Sequence, residues 1–345
     1  MISFDIDDSE TTFQFGPITY KKVKTLGEGT FGKVLKLQKI SPPNPQTSEK
    51  GPNYFALKIS KRFKQSKKSK EESKNEEEIP KEINFVELRE LTILKTLERS
   101  HHLNIVNMLA FKLLKTETWI VMDYLETDLL KFYDKNKNNP KVMTEKFFKK
   151  IAFQIFSGIN HLHSQQIIHR DIKLENILYD EKKNICKIGD FGLSRVFDYS
   201  LENNYTDVGT FPFKPPEVLL GYRKYTPAFD VWSAGCVLVQ IITMKLLFPA
   251  NDPLNVLKLI YNIFGSFNDD ILPGYRDFPN ANLIINLPES EGMGLVNYIE
   301  KNKVIKIEDE NFFDLIKKIL CIDPTKRISA KDCLAHPYFR NVDDE

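Results

Sequence analysis

Near Thr144 the hydrophobic pattern of this chain changes period, and that change restricts the fold more than any other feature. Before it, several apolar runs read as strands: Thr19 to Leu26, Lys33 to Leu37, Tyr54 to Ile59, Met108 to Leu114 and Trp119 to Tyr124. One segment there breaks the pattern. Ile83 to Leu97 places Ile83, Val86, Leu91, Leu94 and Leu97 close to helical spacing. From Thr144 to His163 the chain is amphipathic at helical period, with Thr144 well placed as an N-cap. Asp230 to Met244 and Asn311 to Leu320 are further helix candidates. A strand-rich N-terminal third thus precedes a helix-rich remainder, an α+β arrangement.

At 345 residues the chain is longer than one typical compact core, so two lobes are expected. Hydrophobic residues make up 41%, which excludes wholesale disorder. Lys plus Arg number 49 against 47 for Asp plus Glu, and this balance argues against a dedicated nucleic-acid binder. The four cysteines form no CxxC pair and no zinc spacing, which suits a reducing compartment. The first ten residues carry four acids and no base, unlike a signal peptide or presequence. The longest apolar run, Val231 to Met244, is too short to span a bilayer. A soluble protein of the nucleus or cytoplasm is expected. A Pro-rich loop over 42–52 and a run of Lys, Glu, Ser and Asn over 61–81 read as solvated connections.

Three groups of residues carry chemistry. Gly27-Glu28-Gly29-Thr30-Phe31-Gly32 lies between two strand-like runs. Alone it fits an ordinary Gly-rich hairpin as well as a turn whose amides approach phosphate oxygens. A dinucleotide-binding motif would instead join a strand to a helix. Lys58 follows on a strand, where it can grip phosphates, and Glu90 lies on the next amphipathic segment as a partner carboxylate. The most specific motif is His169-Arg170-Asp171-Ile172-Lys173-Leu174-Glu175-Asn176. It supplies an Asp to accept a hydroxyl proton and an Asn to hold a magnesium ion. Asp190-Phe191-Gly192 adds a second metal carboxylate, and Pro215-Pro216-Glu217 closes the segment that follows.

With these motifs in order, the chain resembles a eukaryotic protein kinase from about Tyr20 to Phe339, and is most similar to the cyclin-dependent kinase family. Asp230 to Cys236, Leu247-Phe248-Pro249, Asp323 to Ala330 and His336 to Phe339 also match. The resemblance implies a bilobal α+β fold. Residues 1–18 would be an N-terminal extension and 19–340 the kinase domain. Within it, 19–122 would form the small lobe with a charged insert at 61–82, 123–125 the hinge and 126–340 the large lobe. It implies a serine/threonine kinase that transfers the γ-phosphate of ATP, with Mg²⁺, to protein substrates. Leu26, the glycine turn, Lys33 and Val34 would cover the nucleotide. Val34, Ala56 and Leu178 would sandwich the purine, with Met122 as gatekeeper. Asp123, Tyr124 and Leu125 would bond adenine, and Asp128 would face the ribose. Lys173 would neutralise the transferred phosphoryl group. Leu94, Met108, His169 and Phe191 would stack as a spine, Asp230 would bond the His169 backbone, and Arg327 would pair with Glu217.

The resemblance also implies regulation. Arg89, Arg170 and Arg195 would converge on a phosphorylated Thr206. Phe31 replaces an inhibitory tyrosine found in many relatives. Asn84 to Arg89 keeps the arginine but not the rest of the cyclin-contacting sequence, so a cyclin-like partner is one option only. Gly209, Pro212, Phe213 and Lys214 depart from the family's proline-reading segment, and Lys cannot reproduce a guanidinium fork. These departures are similar to fungal single-subunit kinases that phosphorylate cyclin-dependent kinases. A kinase-shaped scaffold without turnover is the alternative of another class. It would show degraded phosphate, metal or base positions, and none is lost.

Overall fold

The structure, a computed structural model, describes residues 11–29, 32–40, 54–61, 85–114, 116–197, 209–222, 224–340 and 342. Thr30, Phe31, Asn84, Thr206 and the charged stretch from 62 to 82 lie outside the described residues. The chain divides into two compact units, one of 1–101 with 106–124 and one of 102–105 with 125–345.

The first unit is a six-stranded antiparallel sheet and a helix. Its elements are β1 (Thr12–Phe15), β2 (Ile18–Gly29), β3 (Gly32–Lys39), β4 (Tyr54–Lys61), α1 (Phe85–Leu97), β5 (Met108–Leu113) and β6 (Glu117–Asp123). The strand order is β1-β2-β3-β4-β6-β5. Alternation sends Leu35, Leu37, Leu57, Ile59 and Val121 to one face, where they bury against Phe13, Phe15 and Tyr20. β1 lies in the stretch expected to precede the domain. Its two aromatic rings pack on Trp119 of β6, with centroids 5.2 and 6.2 Å away. This edge strand is sewn in by aromatic contacts that a four-residue sequence window cannot announce.

The second unit opens with β7 (Thr127–Asp128), α2 (Leu129–Asn136), α3 (Glu145–Ser164), β8 (Ile167–Ile168), β9 (Ile177–Asp180), β10 (Ile185–Ile188) and β11 (Arg195–Val196). Then follow α4 (Pro216–Leu219), α5 (Ala228–Thr243), α6 (Pro253–Phe264), α7 (Asn282–Ile285), α8 (Leu295–Asn302), α9 (Asn311–Ile319) and α10 (Ala330–Leu334). Thr144 caps α3 as expected, its side chain accepting from the Phe147 amide at 3.2 Å. The long apolar run is α5, which is buried on nearly all sides, as a helix without a polar face must be. α3 and α9 pack against it, and Gly235 makes the second contact possible: a Cβ there would lie 2.5 Å from Ile319. Among the described residues no helix is long and apolar enough to cross a membrane.

Candidate active site

The first unit gathers its candidate residues on the sheet face opposite the β1 aromatics. Residues directly paired across antiparallel strands share a face. Val34 pairs with Lys58, Ala56 with Met122 and Lys58 with Ile120, so Val34, Ala56, Lys58 and Met122 form one stripe. Lys58 donates to Glu90 of α1 at 2.6 Å, and the Glu90 side chain is only 7% exposed. A carboxylate this deep needs its cation, so the bond fixes both α1 and the lysine.

The glycines of the turn divide by cause. Gly32 has φ +148°, and a Cβ there would sit 2.0 Å from the Ile59 carbonyl oxygen of β4. Its bare backbone is a condition of strand pairing. Gly27 has nothing within 4 Å of a Cβ, so packing gives no reason for it, and its bare backbone leaves room for close approach from outside. Leu26, Glu28 and Lys33 are exposed beside it. At the far end of the stripe the Asp123 carboxylate accepts the backbone and side-chain amides of Asn107, both at 3.1 Å. Sequence reasoning missed Asn107, whose partner is sixteen residues away and follows no period.

The second unit builds its set around buried Asp230 of α5. The Asp230 carboxylate accepts the amides of His169 and Arg170, each at 2.8 Å, and His163 Nε2 at 3.0 Å. Complete burial pushes this carboxyl up. The His163 bond and charge and the Arg170 amide outweigh that and hold it below the usual carboxylate range. The anchored loop delivers Asp171, whose carboxylate meets three groups. Thr210 Oγ1 donates at 2.8 Å, Asn176 Nδ2 donates at 2.8 Å, and Lys173 Nζ lies at 2.8 Å. Lys173 also donates to Thr210 at 3.0 Å, closing a ring of four side chains. Thr210 was not foreseen as a site residue. Its only sequence signal is its place five residues before Pro215.

His169 joins this ring to the next motif. Its Nδ1 accepts the Asp171 amide at 3.3 Å, so the ring proton belongs on Nε2, which meets the Gly189 carbonyl at 2.9 Å. Gly189 in turn donates to the Asn176 carbonyl at 2.9 Å. Asp190 follows in the left-handed region, with φ +58° and ψ +79°, a conformation an Asp adopts more readily than most residues. Asn176 and Asp190 offer hard oxygen donors. Among the described residues no cluster of three His, Cys, Asp or Glu could hold a metal alone. That donor set fits a divalent cation that takes its remaining ligands from phosphate and water.

The other candidates have definite places. Asp128 caps α2, accepting the Lys131 amide at 2.9 Å, and Leu178 pairs with it across β7 and β9. Arg170 is buried, donates to the Leu193 carbonyl and stacks on Tyr225 at 5.5 Å, while Arg195 is half-buried on β11. Arg89 is half-buried on α1. Arg327 meets Glu217 in a fork at 2.9 and 3.0 Å and spends its other donors on the carbonyls of Cys321, Ala228 and Ile322.

The Lys58–Glu90 pair, and the Asp–Lys–Asn–Thr ring with its left-handed Asp-Phe-Gly, both lie within the span that a family model matches. The protein kinase domain model matches residues 20–339. The chain belongs to the cyclin-dependent kinase family of protein kinases. It is 32% identical over 93% of its length to a "Probable cyclin-dependent kinase 10" of Dictyostelium discoideum, covering 79% of that protein. It is 32% identical over 94% of its length to a "Cyclin-dependent kinase 1" of Encephalitozoon cuniculi (strain GB-M1), covering 97% of it. A "Cyclin-dependent kinase B2-1" of Oryza sativa subsp. japonica is 30% identical over 94% of the chain, covering 91% of the relative. This family member is a serine/threonine protein kinase that uses ATP and a divalent metal and acts on protein substrates. The glycine turn joins two strands, β2 and β3, which removes the dinucleotide-binding reading.

Proposed function

We propose that Asp171 orients the substrate hydroxyl and takes its proton as the phosphoryl group transfers from ATP. The ring of Thr210, Asn176 and Lys173 around its carboxylate carries this reading, because three donors fix the oxygens that must face the hydroxyl. Lys173 stabilises the transferring phosphoryl group, and Asn176 with Asp190 holds Mg²⁺, which supplies charge neutralisation when bound. Lys58, kept in place by Glu90, grips the phosphates under the turn of Gly27, Gly29 and Gly32. Val34, Ala56 and Leu178 enclose the purine, Met122 stands behind it, and residues 123–125 bond its edge. Asp128 meets the ribose. Residues 19–340 form the catalytic domain, with the segment from 123 to 125 as its hinge. Arg89, Arg170 and Arg195 receive a phosphate on Thr206.

A phosphotransfer assay tests this with the purified chain alone, Mg-ATP, and two substrates. One is a Ser-Pro peptide, the other a cyclin-dependent kinase with an unphosphorylated activation segment. The expected result is labelling that Asp171→Asn abolishes while ATP still binds. Labelling of the kinase substrate without a cyclin assigns the chain to the single-subunit activating kinases. Labelling only after a cyclin is added assigns it a cyclin-like partner. Full labelling by Asp171→Asn would overturn the reading.

A further inference from the structure

On the stripe that carries Val34, Ala56 and Met122, one charged residue has no role in the proposal above. Lys36 pairs with Ala56 and lies two residues beyond Val34, so its side chain leaves the sheet on that same face. Its Nζ lies 3.8 Å from the ring centroid of Tyr54 and 4.2 Å from that of Tyr124. The two rings stand edge to face with centroids 6.1 Å apart. An ammonium over two aromatic faces at these distances is held by both quadrupoles. The three residues come from three places: β3, which leaves the glycine turn, β4, which carries Lys58, and the residue after β6.

From this geometry we infer that Lys36 is a positioning residue for the nucleotide. It ties the strand leaving the glycine turn to Tyr124 and so sets the conformation of the backbone that meets adenine. The inference rests on the reading that residues 123–125 bond the adenine edge. Asn107 fixes the neighbouring Asp123 through its carboxylate and amide, which leaves Tyr124 as the residue whose placement depends on a side-chain contact to the glycine-turn strand. Lys36 touches no reacting atom in this scheme. Its effect belongs to ATP affinity, with the chemical step unaltered.

The test uses the full chain with two readouts. Steady-state kinetics compare the wild type with Lys36→Met, which keeps the stem and removes the charge, Lys36→Arg, which keeps a cation, and Tyr124→Leu. Amide hydrogen exchange then follows residues 122–126 with and without Mg-ATP. The expected result is a rise in KM for ATP of about 3–10-fold in Lys36→Met with kcat within about twofold, the size of a cation–π contact of this exposure. Lys36→Arg restores the wild-type KM, and the Lys36→Met/Tyr124→Leu double variant is no worse than the poorer single one. ATP slows exchange at 122–126 in the wild type, and in Lys36→Met does so only at higher ATP. An unchanged KM in Lys36→Met, with wild-type protection at 122–126 intact, overturns the clamp and leaves the adenine reading standing. No protection at 122–126 in the wild type overturns the adenine reading, and the inference falls with it.

Discussion

At the scale of single residues, Gly27 and Gly32 share one motif and answer to different forces. Gly32→Ala would push a methyl into the Ile59 carbonyl, 2.0 Å from where the Cβ must sit. Its expected effect is on folding: β3 and β4 part, and stability falls by an amount typical of overpacking, roughly 1–3 kcal/mol, read as a lower melting temperature. Gly27→Ala meets nothing within 4 Å. It should leave the melting temperature unchanged and raise KM for ATP several-fold. Thermal melts beside steady-state kinetics separate the two. Lys173 makes a third case. Its ammonium contacts Asp171 and Thr210, so Lys173→Ala should lower kcat by at least about 100-fold while ATP binding, followed by calorimetry, changes little. A large loss of nucleotide affinity with normal turnover would contradict that role. Asp171, Lys173, Asn176 and Asp190 were legible in the sequence because their order and spacing are so rarely met by chance. Thr210 and Asn107 were not. Each acts through a contact set by tertiary folding, and a Thr or an Asn in a loop carries no mark of it.

At the scale of elements, period and capping marked β2, β3, β4, α1, α3 and α5, since each buries one face or all of itself. β1 escaped because four residues offer only two inward positions, and the ring they need, Trp119, is a hundred residues downstream. The short α7 was not legible, having one buried residue to anchor it. Arg327 shows how elements of the second unit are held. Its guanidinium joins α4 through Glu217 and the start of α5 through Ala228, and its ring contact is with Trp232 at 5.0 Å. All five donors are in use, and an ammonium has three without the planar fork. Arg327→Lys keeps the charge but leaves at least two buried acceptors without a donor, and should cost about 1–3 kcal/mol, read as a fall in denaturant midpoint. A midpoint within error of the wild type would show that lysine suffices.

At the scale of the whole molecule, one histidine couples stability to pH. His102 stacks on His161 of α3 with centroids 4.5 Å apart, and its Nδ1 accepts the Asn104 amide at 3.1 Å. Burial, with the His161 and Lys187 charges beside it, lowers its pKa from 6.5 to about 4. His161 is lowered too, by burial. Ser157 Oγ lies 3.4 Å from Nε2. Because the folded value lies below the unfolded one, the unfolded chain binds more protons between pH 6.5 and 4. Stability is full above about pH 6.5 and declines as pH falls through that window. His102→Gln should flatten the slope of melting temperature against pH between 7 and 5. An unaltered slope would place the coupling elsewhere.

Asp230 has a further consequence, in the order in which the chain is made. The amides of His169 and Arg170 find their acceptor sixty-one and sixty residues later, and Glu217 finds its arginine 110 residues later. At about 5–20 residues per second, a ribosome that has just exposed the loop must work for several seconds more before α5 emerges to hold it. Until then Asp171 has no fixed direction. A nascent chain stalled before residue 230 would carry most of the catalytic motifs and nothing to hold them in place.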